Sequence, residues 1–205
     1  MLYLLAASMG YFLGCSNMAL YLSKWKKVDL KGNGSGNLGA SNTAMLMGMV
    51  PAVLVAVHDI GKSVLAVMLA KWLFPELEYA GPVAGLASVM GHIFPFYIRF
   101  RGGKGLASYF GMTLALNWKL ALTIFVLGLA LTLITDYIVS ATTLTILWAP
   151  AYLGISTHNW ILVLILLAGT AVIAYKHREN YMRIVNGTEF RVRNVLRKKH
   201  NDDRS

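Results

Sequence analysis

Acidic side chains are scarce in this chain: nine Asp and Glu stand against nineteen Lys and Arg in 205 residues. Carboxylates so few form no cluster for glycoside hydrolysis or for a metal ion. No two histidines stand four apart, so that zinc spacing is missing as well. The single cysteine, Cys15, sits inside an apolar run, which excludes a disulfide within the chain and any cysteine-based metal centre. Charge of either sign is low, at 14% of residues where a soluble domain carries about a quarter. With 57% hydrophobic residues, this composition points to the bilayer and to one compact membrane unit, residues 1–190, followed by a basic polar tail, 191–205.

Residues 2 to 22 contain no charge and are long enough to cross a hydrocarbon core of about 30 Å. They lack a basic leader and a clear small-residue cleavage site, so we read them as a retained helix. Further apolar runs cover 43–74, 80–98, 106–117, 119–134, 137–156 and 159–175, the fourth of these seven being short for a full crossing. The reading is an all-α bundle of about seven transmembrane helices. Lys24, Lys26, Lys27, Lys31, Arg99, Arg101, Lys104 and the basic residues from Lys176 onward fall on one side, and only Lys119 is assigned to an opposite loop. By the positive-inside rule the basic side is cytoplasmic, which puts the N-terminus outside and the C-terminus inside. This one-sided belt fits an anionic lipid surface and removes the need for nucleic acid as a partner.

Three polar stretches reach that side. Gly34-Ser35-Gly36-Asn37-Leu38-Gly39-Ala40-Ser41-Asn42 combines glycines able to adopt positive φ with side-chain donors. It fits an anion-binding nest or a flexible surface loop. Gly91-His92-Ile93-Phe94-Pro95 leads into Gly102-Gly103-Lys104-Gly105, again glycines around a lysine, but not a P-loop, because Gly105 stands where Ser or Thr is needed and Ile98 where the leading glycine belongs. His177-Arg178-Glu179-Asn180 closes the set. Within the second apolar run Asp59 and Lys62 lie three apart, as a structural ion pair or as a functional group. No histidine has an aspartate five positions later, the His-x-x-x-x-Asp base of many glycerolipid acyltransferases, so a site here would suit a group that arrives already activated.

In order, spacing and hydropathy these three stretches resemble the motifs of the bacterial acyl-phosphate:glycerol-3-phosphate acyltransferases, the PlsY type, over about residues 1 to 190. The resemblance implies a bacterial inner-membrane enzyme with its active site on the cytoplasmic face. Its reaction would move a fatty acyl group from acyl phosphate to the 1-hydroxyl of glycerol 3-phosphate, giving lysophosphatidic acid and phosphate, with no cofactor and no metal. Ser35, Asn37, Lys104, His177 and Asn180 would be catalytic. Gly34, Gly36, Gly39, Ser41, Asn42, His92, Gly102, Gly103, Thr142 and Arg178 would bind substrate. The chain departs from the pattern mildly at Ser41, where threonine is usual, at Val139, where serine is, and at Lys31, where arginine is common. It also loses two basic groups: Met45 stands where an arginine is usual, and Asp136 replaces the arginine of an Arg-Tyr-Val-Ser stretch. Methionine offers no bidentate phosphate clamp, so the same residues also fit a variant with another acceptor, or a non-catalytic protein that binds acyl phosphate or lipid. A transporter is the third reading, with Asp59 and Lys62 as its suspects, but the other spans provide almost no polar path.

Overall fold

The computed structural model describes residues 1–194, and among them every regular element is helical. The elements are α1 Leu2–Cys15, α2 Met18–Lys26, α3 Ala40–Met47, α4 Met49–Leu73, α5 Ala80–Ile93, α6 Leu106–Leu116, α7 Trp118–Thr135, α8 Ile138–Thr157 and α9 Trp160–Val185. A 3-10 turn, Phe96–Ile98, prolongs α5. Five segments are long and apolar enough to cross a membrane: Met49–Leu73, Ala80–Ile98, Trp118–Thr135, Ile138–Thr157 and Trp160–Val185. Large apolar side chains such as Phe12, Ile134, Ile155 and Leu164 point outward, where lipid can solvate them. Exposed Trp72, Trp118 and Trp160 mark one end of the bundle and Trp25 the other, as an interfacial aromatic belt requires.

Helices without a hydrophobic drive to associate must pack through small residues. Gly10 and Gly14 of α1 face Ala84 and Ser88 of α5 so closely that a Cβ at either glycine would strike a carbonyl oxygen of the partner helix. Gly91 of α5 returns the contact against Tyr11, and Gly111 of α6 does the same against Ile60 of α4. Tyr109 of α6, fully buried, donates to the Leu166 carbonyl of α9 at 3.2 Å. Pro150 inside α8 removes the amide that would bond the Ile146 carbonyl, and the Thr170 hydroxyl of α9 supplies a donor there at 2.8 Å.

Three boundaries differ from those read off hydropathy. The run 2–22 is two helices, because Asn17 leaves the helical region and its side chain caps α2 by accepting from the Leu20 amide at 2.8 Å. The run 43–74 is broken at Gly48, whose φ of 87° ends α3 before α4 begins. The last helix continues ten residues past 175 to Val185, so the His177 motif is helical. The tail expected from 191 lies mostly outside the described residues, but Val192 and Arg193 donate backbone amides to Asp136, at 3.0 Å to its carbonyl and 2.9 Å to its carboxylate. Lys71, which the charge map left unassigned, joins Lys119 at the end away from the glycine loops and reaches the Ala115 carbonyl at 3.4 Å.

Candidate active site at the glycine-loop end

The first glycine stretch is a loop only as far as Gly39; Ala40, Ser41 and Asn42 form the first turn of α3. Gly34 and Gly36 adopt φ of 63° and 67°, the left-handed region that glycine enters without strain. Gly39, expected to do the same, is extended at φ of −148°; it is glycine because a Cβ would approach the Asn37 amide group to 2.9 Å. The organiser of the loop is Asn42, fully buried. It accepts from the Ser35 amide at 2.8 Å and donates to the Leu30 and Asn33 carbonyls at 2.8 and 3.3 Å. Ser35 is left exposed at the loop crest, with Asn37 half-buried beside it. Leu30 and Leu38 anchor the underside against Leu20, Val55 and Ile98.

The second loop folds back on the end of α5. Gly102 and Gly103 donate to the Ile93 and His92 carbonyls at 3.0 and 3.1 Å, which aims the next residue, Lys104, toward α9. There its ammonium bonds the Asn180 side-chain oxygen. Asn180 donates in turn to Glu189 at 2.6 Å, and the other Glu189 oxygen takes the Arg183 guanidinium at 2.7 Å. Burial pushes the Lys104 ammonium below the usual lysine range, and the Arg183 charge pushes the same way against the opposing pull of Glu189. His177 lies one turn before Asn180; its Nδ1 is 2.9 Å from the Ile173 carbonyl, an acceptor only, so the neutral ring carries its proton there and keeps Nε2 as an acceptor. Thr142, on the second turn of α8, is fully buried with a hydroxyl that has no partner among the described residues.

The structure thus brings Lys104, His177 and Asn180 into one cluster and packs the apolar underside of the Ser35 loop against Ile98, which precedes the second loop. It places two expected ligands elsewhere. Arg178 is exposed, stacked 4.1 Å over the Tyr175 ring and 3.8 Å from Glu179. His92 is buried behind the second loop, its Nδ1 2.8 Å from the Lys62 ammonium. Met45 is half-buried on α3. Glu189 and Arg183 were given no role from sequence. The available signal was a carboxylate, rare in this chain, just beyond a helix end, with Gly187 at φ of 69° turning the chain back so that the Thr188 and Glu189 amides reach the Arg183 carbonyl.

A helical bundle with a lipid-facing perimeter and a cationic, glycine-lined cluster at one end defines a multi-pass membrane protein. Residues 4–187 match the family model described as glycerol-3-phosphate acyltransferase, and the chain belongs to that family. It is 37% identical over 190 residues to glycerol-3-phosphate acyltransferase 1 of Deinococcus radiodurans, covering 92% of this chain and 95% of that one. It is 34% identical over 187 residues to the glycerol-3-phosphate acyltransferase of Parasynechococcus marenigrum, covering 91% and 88%. The crystal structure of PlsY (YgiH), an integral membrane glycerol 3-phosphate acyltransferase, in its glycerol 3-phosphate form superposes with a TM-score of 0.87 at 32% identity, covering 92% of this chain and 94% of that one. Its lysophosphatidic acid form gives 0.85 at 31%, covering 95% and 98%. The protein is a membrane acyltransferase.

Proposed function

We propose that the protein transfers a fatty acyl group from acyl phosphate to the 1-hydroxyl of glycerol 3-phosphate, releasing lysophosphatidic acid and phosphate. The unit is residues 1–190. Seven crossings, with α1 and α2 together and the short α6 completing the five long spans, put the N-terminus outside and the site at the cytoplasmic face of a bacterial inner membrane. The contact of Lys104 with Asn180, one turn from His177, carries the reading, because it joins the second and third motifs at one point. The relatives' names and the two ligand forms of PlsY support the acceptor and the lipid product.

An acyl phosphate is a mixed anhydride, so phosphate leaves without a protein nucleophile. The 1-hydroxyl oxygen bonds to the acyl carbon, the bond from that carbon to the bridging phosphate oxygen breaks, and the hydroxyl proton passes to the departing phosphate. The Ser35 and Asn37 side chains, with the amides of the Gly34–Ser41 segment other than those of Ser35 and Gly36, which bond within the loop, hold the donor phosphate and the charge developing on the carbonyl oxygen. Lys104 neutralises substrate phosphate, and His177 Nε2 with Asn180 orients the acceptor. The buried, unpartnered Thr142 hydroxyl is a further hydrogen-bonding group for a ligand. Residues are present for every role, with no metal or cofactor required.

Met45 favours a second reading, in which the acceptor differs or acyl phosphate is bound without turnover. Purified protein given palmitoyl phosphate separates the two. Phosphate release that depends on glycerol 3-phosphate and disappears in Lys104→Ala supports acyl transfer, and Met45→Arg should then lower KM for the acceptor. Binding of palmitoyl phosphate without turnover would transfer support to the second reading.

A further inference from the structure

Lys62 and Asp59 occupy the middle of α4, both buried, and no step above uses them. The Lys62 ammonium spends its three donors on three elements: the Asp59 carboxylate at 2.8 Å, the Ser16 carbonyl at the α1–α2 break at 2.7 Å, and His92 Nδ1 at 2.8 Å. Ion pairs at this depth are rarely retained for stability alone, since apolar side chains of similar volume pack there at least as well. What this pair touches is therefore informative. His92 is the residue on which the second glycine loop rests: a Cβ at Gly103 would collide with its Nε2, and the Gly103 amide bonds its carbonyl at 3.1 Å.

We propose that Lys62 and Asp59 are positioning residues for Lys104, acting through the His92 ring and the Gly102–Gly103 backbone. The ammonium, fixed by Asp59 and by the Ser16 carbonyl, presses on Nδ1 and sets the height of the ring. The opposite edge of the ring sets the height of Gly103, and Lys104 follows in sequence. Nδ1 also lies 3.3 Å from the Asp59 carboxylate, but its shorter contact, 2.8 Å, is with the Lys62 ammonium, which can only donate, so Nδ1 accepts and the ring proton is on Nε2, facing the loop. The Ser63 and Ser88 hydroxyls, 2.9 Å apart, and the Ser108 hydroxyl, 3.3 Å from the Asp59 carbonyl, brace α4 against α5 and α6 around this strut. The strut ties the phosphate-binding loop to the membrane core instead of leaving it to solvent.

This inference rests on the proposed reaction only for its kinetic readout. In the wild-type protein, nitrogen NMR of labelled histidine should show His92 with Nδ1 unprotonated and Nε2 protonated, and hydrogen exchange should show slow amides at Gly102 and Gly103. The neutral double variant Lys62→Met/Asp59→Asn leaves no unpaired charge. It should exchange those two amides faster and raise KM for glycerol 3-phosphate about ten-fold, with kcat changed less than about three-fold. Lys71→Met, at the far end of the bundle, serves as the control and should alter neither. A protonated Nδ1 in the wild type would overturn the proposal whatever the variants do. So would a folded double variant with unchanged exchange and unchanged KM. A wild-type protein without acyl transfer would instead defeat the reaction, leaving the histidine and exchange measurements to decide the strut.

Discussion

The two glycine loops look alike in sequence and are built on opposite principles. In the first, Gly34 and Gly36 are needed for their left-handed backbone, and the loop is held from inside by the buried Asn42 amide while its crest stays exposed. In the second, Gly102 and Gly103 do not adopt positive φ; they are glycine because Pro95 and the His92 ring leave no room for a Cβ. The first loop owes its shape to its own conformation and a local polar clasp. The second is cast against the core, and its cation is delivered to α9. Backbone permissiveness and close approach are different physical demands met by the same residue type.

The difference is largest at Gly103. Replacing it with Ala puts a methyl into a ring that Lys62 already holds, so the loop must lift and Lys104 moves off Asn180. A displacement of this kind costs on the order of 100-fold in kcat/KM for acyl transfer, measured with glycerol 3-phosphate as the varied substrate. Gly103→Asn should be no better than Gly103→Ala, because the fault is space and not φ.

The loops should also separate by pH. Lys104 is half-buried with its ammonium pushed below the ordinary value of 10.5, so it loses its charge at lower pH than a solvated lysine. Affinity for the phosphate substrate is complete below the lowered value and falls about ten-fold per pH unit above it. Its effect on folding has the opposite sign: the folded state releases the proton before the unfolded state does, so the burial penalty on the charge is relieved as pH rises from the lowered value toward 10.5. Lys104→Arg stays charged throughout and should abolish the alkaline rise in KM, whatever its effect on the absolute rate.

In the first loop Asn42 is the keystone. Asn42→Ala leaves the Ser35 amide and the Leu30 carbonyl without partners, at a cost of about 2 kcal/mol in thermal unfolding in detergent, with faster exchange confined to residues 30–38.

Much of this was legible before the structure. The apolar runs and the one-sided cations are direct consequences of solvation, and the approach of the second and third motifs, which the structure makes at Lys104 and Asn180, is legible from the same topology. The breaks at Asn17 and Gly48 were not, because a hydropathy window averages over a single polar residue or glycine whose effect is on the backbone. The helical nature of the His177 motif was hidden by its own polarity: Tyr175 to Arg183 reads as a loop, but α9 emerges from the bundle and keeps its hydrogen bonds past the last apolar turn. Asp59 and Lys62 were visible as a pair, while their link to His92, thirty residues on, needed the fold. Asp136 stood out only as a departure from its relatives; its partner proved to be the backbone of Val192 and Arg193, a contact no spacing rule announces.

The smallest effect is the most discriminating. At Gly36 the backbone has φ of 67°, and a Cβ would sit 3.1 Å from the Lys31 carbonyl oxygen, a contact that a shift of a few tenths of an ångström relieves. The remaining cost of a side chain is that of the left-handed region itself, about 1 kcal/mol for alanine. Asparagine enters that region more readily because its short polar side chain bonds locally, so Gly36→Asn should recover about half of the loss. The pair is read by thermal unfolding, beside Gly103→Ala and Gly103→Asn under the same conditions. Rescue by asparagine at 36 with none at 103 is the pattern expected of one glycine chosen for φ and another for proximity. Equal stability of the Ala and Asn variants at 36 would mean that the Lys31 carbonyl, and not the backbone angle, is what demands glycine there.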